Sequence, residues 1–345
     1  MTGLRLSIQR DRWQQHLRDM MELPGLVPVV KGNGYGFGVH RLAGGAGRLG
    51  ADVIAVGSVA EAKVALREFD GDVVVMMPFF NADAAAVEIM EDSRVIVTVA
   101  HLPELARLAE GPAHPRVLVE VRTSMQRHGI TLDDLPKVAG FLDRVDFAGW
   151  TIHLPMPAGD SNLEEATHIG TAARMAAKAP LWFSHVSVDD HNRLREIFGP
   201  DVRLRRGTDL WLGDPGALTV TATVLDVHKV VRGQRVGYHR KSVPANGWVV
   251  VVSGGTANGI GLEAPSTNRS MRDRAKTMAL GMLDAAGRAL SPFEVAGEKR
   301  AFVEPPHMQS SLVFLPANAI PPAIGDEVPV TVRNTIATFD EIVYI

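Results

Sequence analysis

The segment Val29-Val30-Lys31-Gly32-Asn33-Gly34-Tyr35-Gly36-Phe37-Gly38 puts one lysine at the end of an apolar run and follows it with a glycine at every second position. A lysine leaving the carboxyl end of a buried strand is partly desolvated. That lowers the proton affinity of its amine and makes it a nucleophile toward an aldehyde. Taken alone, Lys31 is better explained as a strand-end lysine whose stem lies on apolar surface while its head reaches water. Dinucleotide binding is a weaker alternative, because glycines at 32, 34, 36 and 38 miss the G-x-G-x-x-G spacing.

What must position Lys31 is legible in the surrounding pattern. Apolar, β-branched runs alternate with Ala/Leu/Arg segments of helical period up to about residue 218. The expected strands are Val27–Lys31, Val53–Val56, Val73–Met76, Arg94–Val99, Val117–Val121, Phe147–His153, Leu181–Ser187 and Val202–Arg205. Parallel strands that are apolar on both faces need helices outside and side chains packed inside. The expectation is therefore an α/β fold, a (β/α)8 TIM barrel with Lys31 on its catalytic rim. Ser58-Val59-Ala60-Glu61 reads as a capping box ahead of a helical run over Ala62–Phe69. Beyond Ala217 the texture changes to alternating strands, Ala217–Val227, Trp248–Val252 and Asp326–Arg333, with Gly and Pro turns. The expected domains are a barrel over 11–217 and a C-terminal mostly-β domain over 218–345, with residues 1–10 pairing with the latter.

Composition limits the classes of function. Hydrophobic residues make up 46% and charged residues 22% of the chain, as in an ordinary soluble globular protein. The net charge of −3, with both signs interspersed, gives no field for nucleic acid or an anionic membrane. The absence of cysteine excludes disulfides, thiolate catalysis and thiolate metal ligation, and no metal site is expected. The first ten residues are too broken by charge for a signal peptide, and no apolar stretch reaches the ~18 residues of a membrane span. A soluble, cytoplasmic protein is expected.

The Lys31 segment resembles the Lys-Ala-Asn-Ala-Tyr-Gly-His-Gly signature of the alanine racemase family, departing at Gly32, Gly34 and Phe37. The likeness extends from the Trp13–Leu17 region into the β domain and weakens after residue 260. It implies a pyridoxal 5'-phosphate (PLP) enzyme whose cofactor is held as a Schiff base on Lys31. Arg127, in Thr123-Ser124-Met125-Gln126-Arg127-His128-Gly129, is similar to the family's arginine that contacts cofactor and substrate carboxylate. His153 resembles the histidine that packs on the pyridine ring, although a rim histidine with no such role is about as good a reading without the family context. Arg205 resembles the arginine aimed at the pyridine nitrogen, and the register also admits Arg206. A cation there opposes ring protonation and weakens the electron sink, which suits simple α-proton exchange.

Phosphate is expected at the backbone amides of Gly207 and Thr208, with the hydroxyls of Ser187 and Tyr35. The plainer reading of Ser187 is a helix cap before Asp189 and Asp190. Tyr238, in Val236-Gly237-Tyr238, resembles the catalytic tyrosine of the family, supplied there by the partner subunit. Only three tyrosines occur, at 35, 238 and 344, and two fall on family positions. Lys31 and Tyr238 would form the two-base pair a racemase needs, in a homodimer with shared sites acting on a small amino acid.

Departures from the family bear on the substrate. Glu120 stands where many members carry a carbamylated lysine, and its charge could orient Arg127 unmodified. Gly255 or a neighbour replaces one entrance tyrosine, and Thr338 or Phe339 replaces the other. In His307-Met308-Gln309 the acidic residue after the substrate-side Met308 is Gln309. A wider, less acidic mouth follows, with a larger amino acid or a broad panel of amino acids as substrate. The alternatives are a PLP lyase of the same architecture, either aldolase or decarboxylase, and a PLP-binding protein without turnover. The decarboxylase is disfavoured because decarboxylases of this architecture use an acidic residue at the ring nitrogen and a cysteine, neither of which is found here.

Overall fold

The computed structural model describes residues 3–112, 114–157, 161–262 and 289–345. The chain divides into two compact units, Gln14–Gly213 and the combination of Met1–Trp13 with Asp214–Ile345.

In the first unit, eight parallel strands form one sheet: β2 (Leu26–Pro28), β3 (Val53–Val56), β4 (Asp72–Pro78), β5 (Val95–Val99), β6 (Arg116–Val121), β7 (Asp146–His153), β8 (Leu181–Ser184) and β9 (Val202–Arg206). They are ordered β2-β9-β8-β7-β6-β5-β4-β3, and a bridge between Val29 and Ala55 brings the two end strands together. This is the expected (β/α)8-type barrel. The helices between strands are α2 (Val39–Arg48), α3 (Val59–Ala65), α4 (Ala84–Ile89), α5 (Leu102–Glu110), α6 (Leu135–Val138), α7 (Leu163–Ala176), α8 (Val188–Phe198) and α9 (Thr208–Leu212), with α1 (Arg10–Met21) ahead of β2. Alternate residues of each strand face inward. Val27, Val53, Val74, Ile96, Leu118 and Trp182 therefore fill the interior.

Several expected elements end elsewhere or form only in part. The strand expected to run to Lys31 stops its ladder at Pro28, and Lys31 falls in the coil beyond. Val29 and Val30 still donate to Arg206 and Ala55 carbonyls at 2.7 Å, so the rim is held although the strand is over. The strand expected to reach Ser187 ends at Ser184, because His185 takes φ 61 and turns the chain out of the extended run. Only half of the capping box forms. Ser58 Oγ accepts from Glu61 N at 3.3 Å, but the Glu61 carboxylate accepts from Gly57 N (2.6 Å) and Gly32 N (3.1 Å).

The second unit contains β1 (Leu4–Ile8), β10 (Leu218–Val230), β11 (Arg235–Val236), β12 (Lys241–Ser242), β13 (Gly247–Ser253), β14 (Leu290–Val295), β15 (Glu298–Ala301), β16 (Ser310–Pro316), β17 (Glu327–Pro329) and β18 (Glu341–Tyr344). Its main sheet runs β16-β13-β10-β1-β18, with β17 beside β10. β10 carries β1 along its first half and β13 along its second, with an irregularity between Val224 and Asp226. Leu4, Val224, Val250, Phe293, Val313 and Leu315 centre the core. The strand expected over Asp326–Arg333 shrinks to Glu327–Pro329, after which Val330 makes a single bridge to Phe293. Pro329 lacks the N–H that a longer ladder needs.

Candidate active site

Lys31 lies where the barrel strand gives way to a tight coil. Gly32, Gly34, Gly36 and Gly38 all have positive φ, which accounts for the every-second-residue glycines. At Gly34, with φ +61, a Cβ would also sit 2.6 Å from Val39 N, so no side chain fits. Asn33 Oδ1 accepts from Gly36 N at 3.2 Å, and Gly34 N donates to Lys31 O at 3.1 Å. The coil turns Tyr35, itself at φ 54, into the protein, where it is buried. Its hydroxyl lies against Gly207, where a Cβ would stand only 1.9 Å from the oxygen. Burial first, then Glu61 and Asp209, push the Tyr35 phenol above its ordinary value, so it is a neutral donor.

The Lys31 amine is open to solvent at the barrel mouth, yet burial by the surrounding rim lowers its proton affinity. Arg127 and Arg205 lower it further, and Glu61 opposes them. Arg205 is 6% exposed, on the inward side two residues beyond Arg203, whose guanidinium lies 5.2 Å from the Trp182 ring centroid. Arg205 Nε and Nη2 have no hydrogen-bond partner among the described residues. Burial takes its pKa down to about 10, which Glu120 opposes and Arg127 reinforces, so it is still a cation at neutral pH. Arg206 points elsewhere, bonded to Asp209 and to the Val186 carbonyl at 2.9 Å. Glu120, on β6 two residues from the interior Leu118, is buried, and Arg127 Nη2 stands 3.8 Å from its Oε1. Burial raises the Glu120 carboxyl above its ordinary value, with Arg205 and Arg127 pulling the other way.

Arg127 hangs from a loop whose ends are pinned beside β6, with Arg122 N donating to Ile130 O at 2.9 Å and Ile130 N to Glu120 O at 2.8 Å. His153 ends β7. Burial first, then the charges of Arg205 and Arg127, push its imidazole down to about 2, so it is neutral. A second neutral histidine, His185, stands beside it at 4.8 Å between ring centroids. His185 Nδ1 lies 2.7 Å from the Leu154 carbonyl, which can only accept, so that nitrogen carries the proton. Ser187 Oγ caps α8 by accepting from Asp190 N at 3.0 Å, leaving its O–H free to donate. Gly207 and Thr208 open α9 close by, at the end of β9.

The barrel rim thus gathers Lys31, Tyr35, Arg127, His153, Ser187, Arg205, Gly207 and Thr208. Tyr238 and Met308 belong to the other unit. Tyr238 is 82% and Met308 73% exposed. Gly255 packs so tightly on the backbone of His307 and Met308 that a Cβ would meet His307 O at 2.1 Å, which bars any side chain there. Phe339 packs on the β-unit core, and Thr338 O accepts from Asn258 Nδ2 at 3.0 Å.

Four residues at these sites had no functional assignment from sequence: Glu61, His185, Glu304 and His307. Glu61 was visible only as half of a cap. His185 sits one residue after the end of an apolar strand, and nothing in spacing distinguishes it.

The family model for the alanine racemase N-terminal domain matches residues 8–188. An alanine racemase from Corynebacterium efficiens is 26% identical over 265 residues, covering 71% of each chain. Among solved structures, alanine racemase from Bartonella henselae with covalently bound pyridoxal phosphate superposes with a TM-score of 0.75 over the whole of both chains, at 16% identity. Alanine racemase from E. faecalis gives 0.71 at 18% identity, covering 100% of this chain and 98% of that one. Those structures share the fold, and the family model spans more than half of the sequence; the chain belongs to the alanine racemase family.

Proposed function

We propose that the protein is a PLP-dependent amino-acid racemase, working as a homodimer, whose pocket admits side chains larger than that of alanine. The observation that carries this reading is Arg205, a buried cation with two unpartnered N–H donors on the rim that also holds a lysine of lowered proton affinity. Orphaned buried donors are costly unless something accepts from them.

The residues fit the cofactor. Lys31 offers the amine for covalent attachment, and Arg205 offers donors to a ring nitrogen. Neutral His153 offers a flat face. The Gly207 and Thr208 amides, at the start of α9, and the Ser187 and Tyr35 hydroxyls are the donors for a phosphate, the Tyr35 hydroxyl being held against Gly207. When bound, PLP withdraws electrons from the bond to the substrate's α-hydrogen and so lowers the cost of removing that proton.

Lys31 takes or returns the α-proton on one face and Tyr238, from the partner subunit, does so on the other. Lys31 suits this role because its lowered proton affinity leaves more of the amine unprotonated near neutral pH. Arg127 binds the substrate carboxylate, with Glu120 behind it to orient the guanidinium. Arg205, as a cation, opposes protonation of the ring nitrogen and limits electron withdrawal, which favours proton return over loss of carbon dioxide. Met308 borders the substrate. Gly255 has no side chain and Phe339 is turned into the core, which supports a mouth without aromatic walls. In such a pocket each added methylene changes discrimination by only ~1–3 kcal/mol.

The test is incubation of the PLP-loaded protein with a panel of amino-acid enantiomers in deuterated water. Deuterium at Cα and interconversion of enantiomers are expected, extending beyond alanine. Carbon dioxide or an aldehyde product would mark a lyase instead, and cofactor binding with no exchange would mark a carrier.

A further inference from the structure

Tyr238 sits in the turn between β11 and β12, which one long backbone bond closes from within, Arg240 N donating to Gly237 O at 3.2 Å. Gly237 and Arg240 both have positive φ, at 74° and 48°. The backbone N–H groups of Tyr238 and His239 have no ladder partner there. Both turn instead to one carboxylate: Glu304 Oε1 accepts from Tyr238 N at 2.9 Å and Oε2 from His239 N at 3.0 Å. The Glu304 side chain is wholly buried. At Gly237 a Cβ would stand 2.0 Å from Glu304 Oε1, so the carboxylate is moulded to this turn.

A third donor reaches the same carboxylate. His307 Nε2 lies 2.6 Å from Glu304 Oε1, and the His307 ring lies 4.4 Å from the Tyr238 ring, centroid to centroid, tilted 45°. The His307 backbone is itself tied down, with its N–H donating to Ser310 O at 2.9 Å and its carbonyl accepting from Thr256 N at 2.8 Å. Burial opposes ionisation of Glu304, but the donors from His239, His307 and Tyr238 outweigh it and hold the carboxyl below its ordinary value. The result is an ionised carboxylate that fixes the turn on one side and clamps an imidazole against the phenol on the other. The phenol is otherwise mostly in solvent.

We propose that Glu304 and His307 are a positioning pair for the Tyr238 phenol, Glu304 setting the backbone of its turn and His307 the orientation of its ring. The proposal rests on the reading above in which Tyr238 is the second base. A phenol on an exposed turn samples many rotamers, whereas proton transfer needs the oxygen within hydrogen-bond reach of the α-carbon's proton. Clamping one face of the ring removes most of that freedom without covering the hydroxyl.

The experiment follows each face of the substrate separately, in the PLP-loaded protein, by α-proton exchange of each enantiomer into deuterated water. His307→Ala should slow exchange of the enantiomer whose proton Tyr238 removes, on the order of 10²-fold, and leave the Lys31 face unchanged. His307→Phe keeps a ring without the carboxylate bond and should recover part of the loss. Equal slowing on both faces would report general damage and overturn the proposal, as would no slowing at all.

A second readout needs no turnover. With fluorotyrosine incorporated, the Tyr238 ¹⁹F resonance, identified by its loss in Tyr238→Phe, should move in His307→Ala and Glu304→Gln. If it moves while the wild type exchanges neither enantiomer, the racemase reading fails and the positioning stands. If it stays while both enantiomers exchange, the positioning fails and the racemase reading stands.

Discussion

Among single residues, Lys31 has its proton affinity lowered first by burial and then by two neighbouring cations, Arg127 and Arg205. The sign of the pH effect follows. Only the unprotonated amine attacks an aldehyde, so the rate at which cofactor-free protein captures PLP should rise with pH through the lowered Lys31 value. Arg127→Gln removes one of the cations that lower that value, so the midpoint of the rate profile should move to higher pH. A shift to lower pH would contradict the assigned electrostatics. Lys31→Ala should abolish borohydride-stable labelling and cost at least ~10²–10⁴-fold in exchange on its face. His153 stands among cations with its imidazole pushed down to about 2, so its ring resonances should not titrate between about pH 5 and 8. Lys31 and Tyr238 could be singled out because their flanking residues form runs of recognisable type. Glu304 and His307 were not. They lie more than sixty residues from Tyr238 in sequence, as the Tyr238–Glu304 bond across 66 positions shows, and neither carries a local pattern.

Among elements, the barrel strands were readable because most are apolar on both faces, β9 with its three arginines being the exception, and β3 falls on its expected bounds. The ends of β2 and β8 were not readable. They depend on a coil of left-handed glycines and on a single non-glycine residue with φ 61, conformations that hydropathy does not report. The same chemistry makes Gly207 informative. A Cβ there would stand 1.9 Å from the Tyr35 hydroxyl oxygen and 2.6 Å from its Cζ, so the end of the Tyr35 ring is the main obstacle to a side chain. Gly207→Ala should therefore weaken PLP binding through overpacking of about 1–3 kcal/mol. Adding Tyr35→Leu, which removes Cζ as well as the hydroxyl, should restore part of the affinity, measured by cofactor titration, even though it deletes a donor to the phosphate. If the double variant binds no better than Gly207→Ala, the contact is not what excludes a side chain. At Gly34 no such rescue is expected, because backbone atoms and positive φ both oppose the added carbon. The half-formed cap at Ser58 has a similar lesson: the spacing signalled a helix start correctly, but the Glu61 side chain ties the Lys31 coil to the β3 exit instead of closing the box.

For the whole molecule, the proposed dimer with shared bases has a consequence no single subunit would show. Lys31→Ala and Tyr238→Phe homodimers should each be impaired. On mixing and re-equilibration, heterodimers gain one site with both bases, so activity should return to about one quarter of wild type. No recovery would place both bases within one subunit. The β unit carries a different consequence of assembly, set by chain order. β1 pairs with β10 on one side and β18 on the other, and Leu4 N donates to Asp340 Oδ2 across 336 positions at 2.7 Å. At ribosomal rates of about 5–20 residues per second, that bond waits roughly 20–70 s after Leu4 is made. Until β10 has been made this alternating apolar strand has both edges open, and from then until β18 follows it still has one, a state prone to pairing with another nascent chain. This strand, made ahead of the barrel, is thus sheltered only after the barrel has been translated, and its exposure time is set by the length of chain made in between.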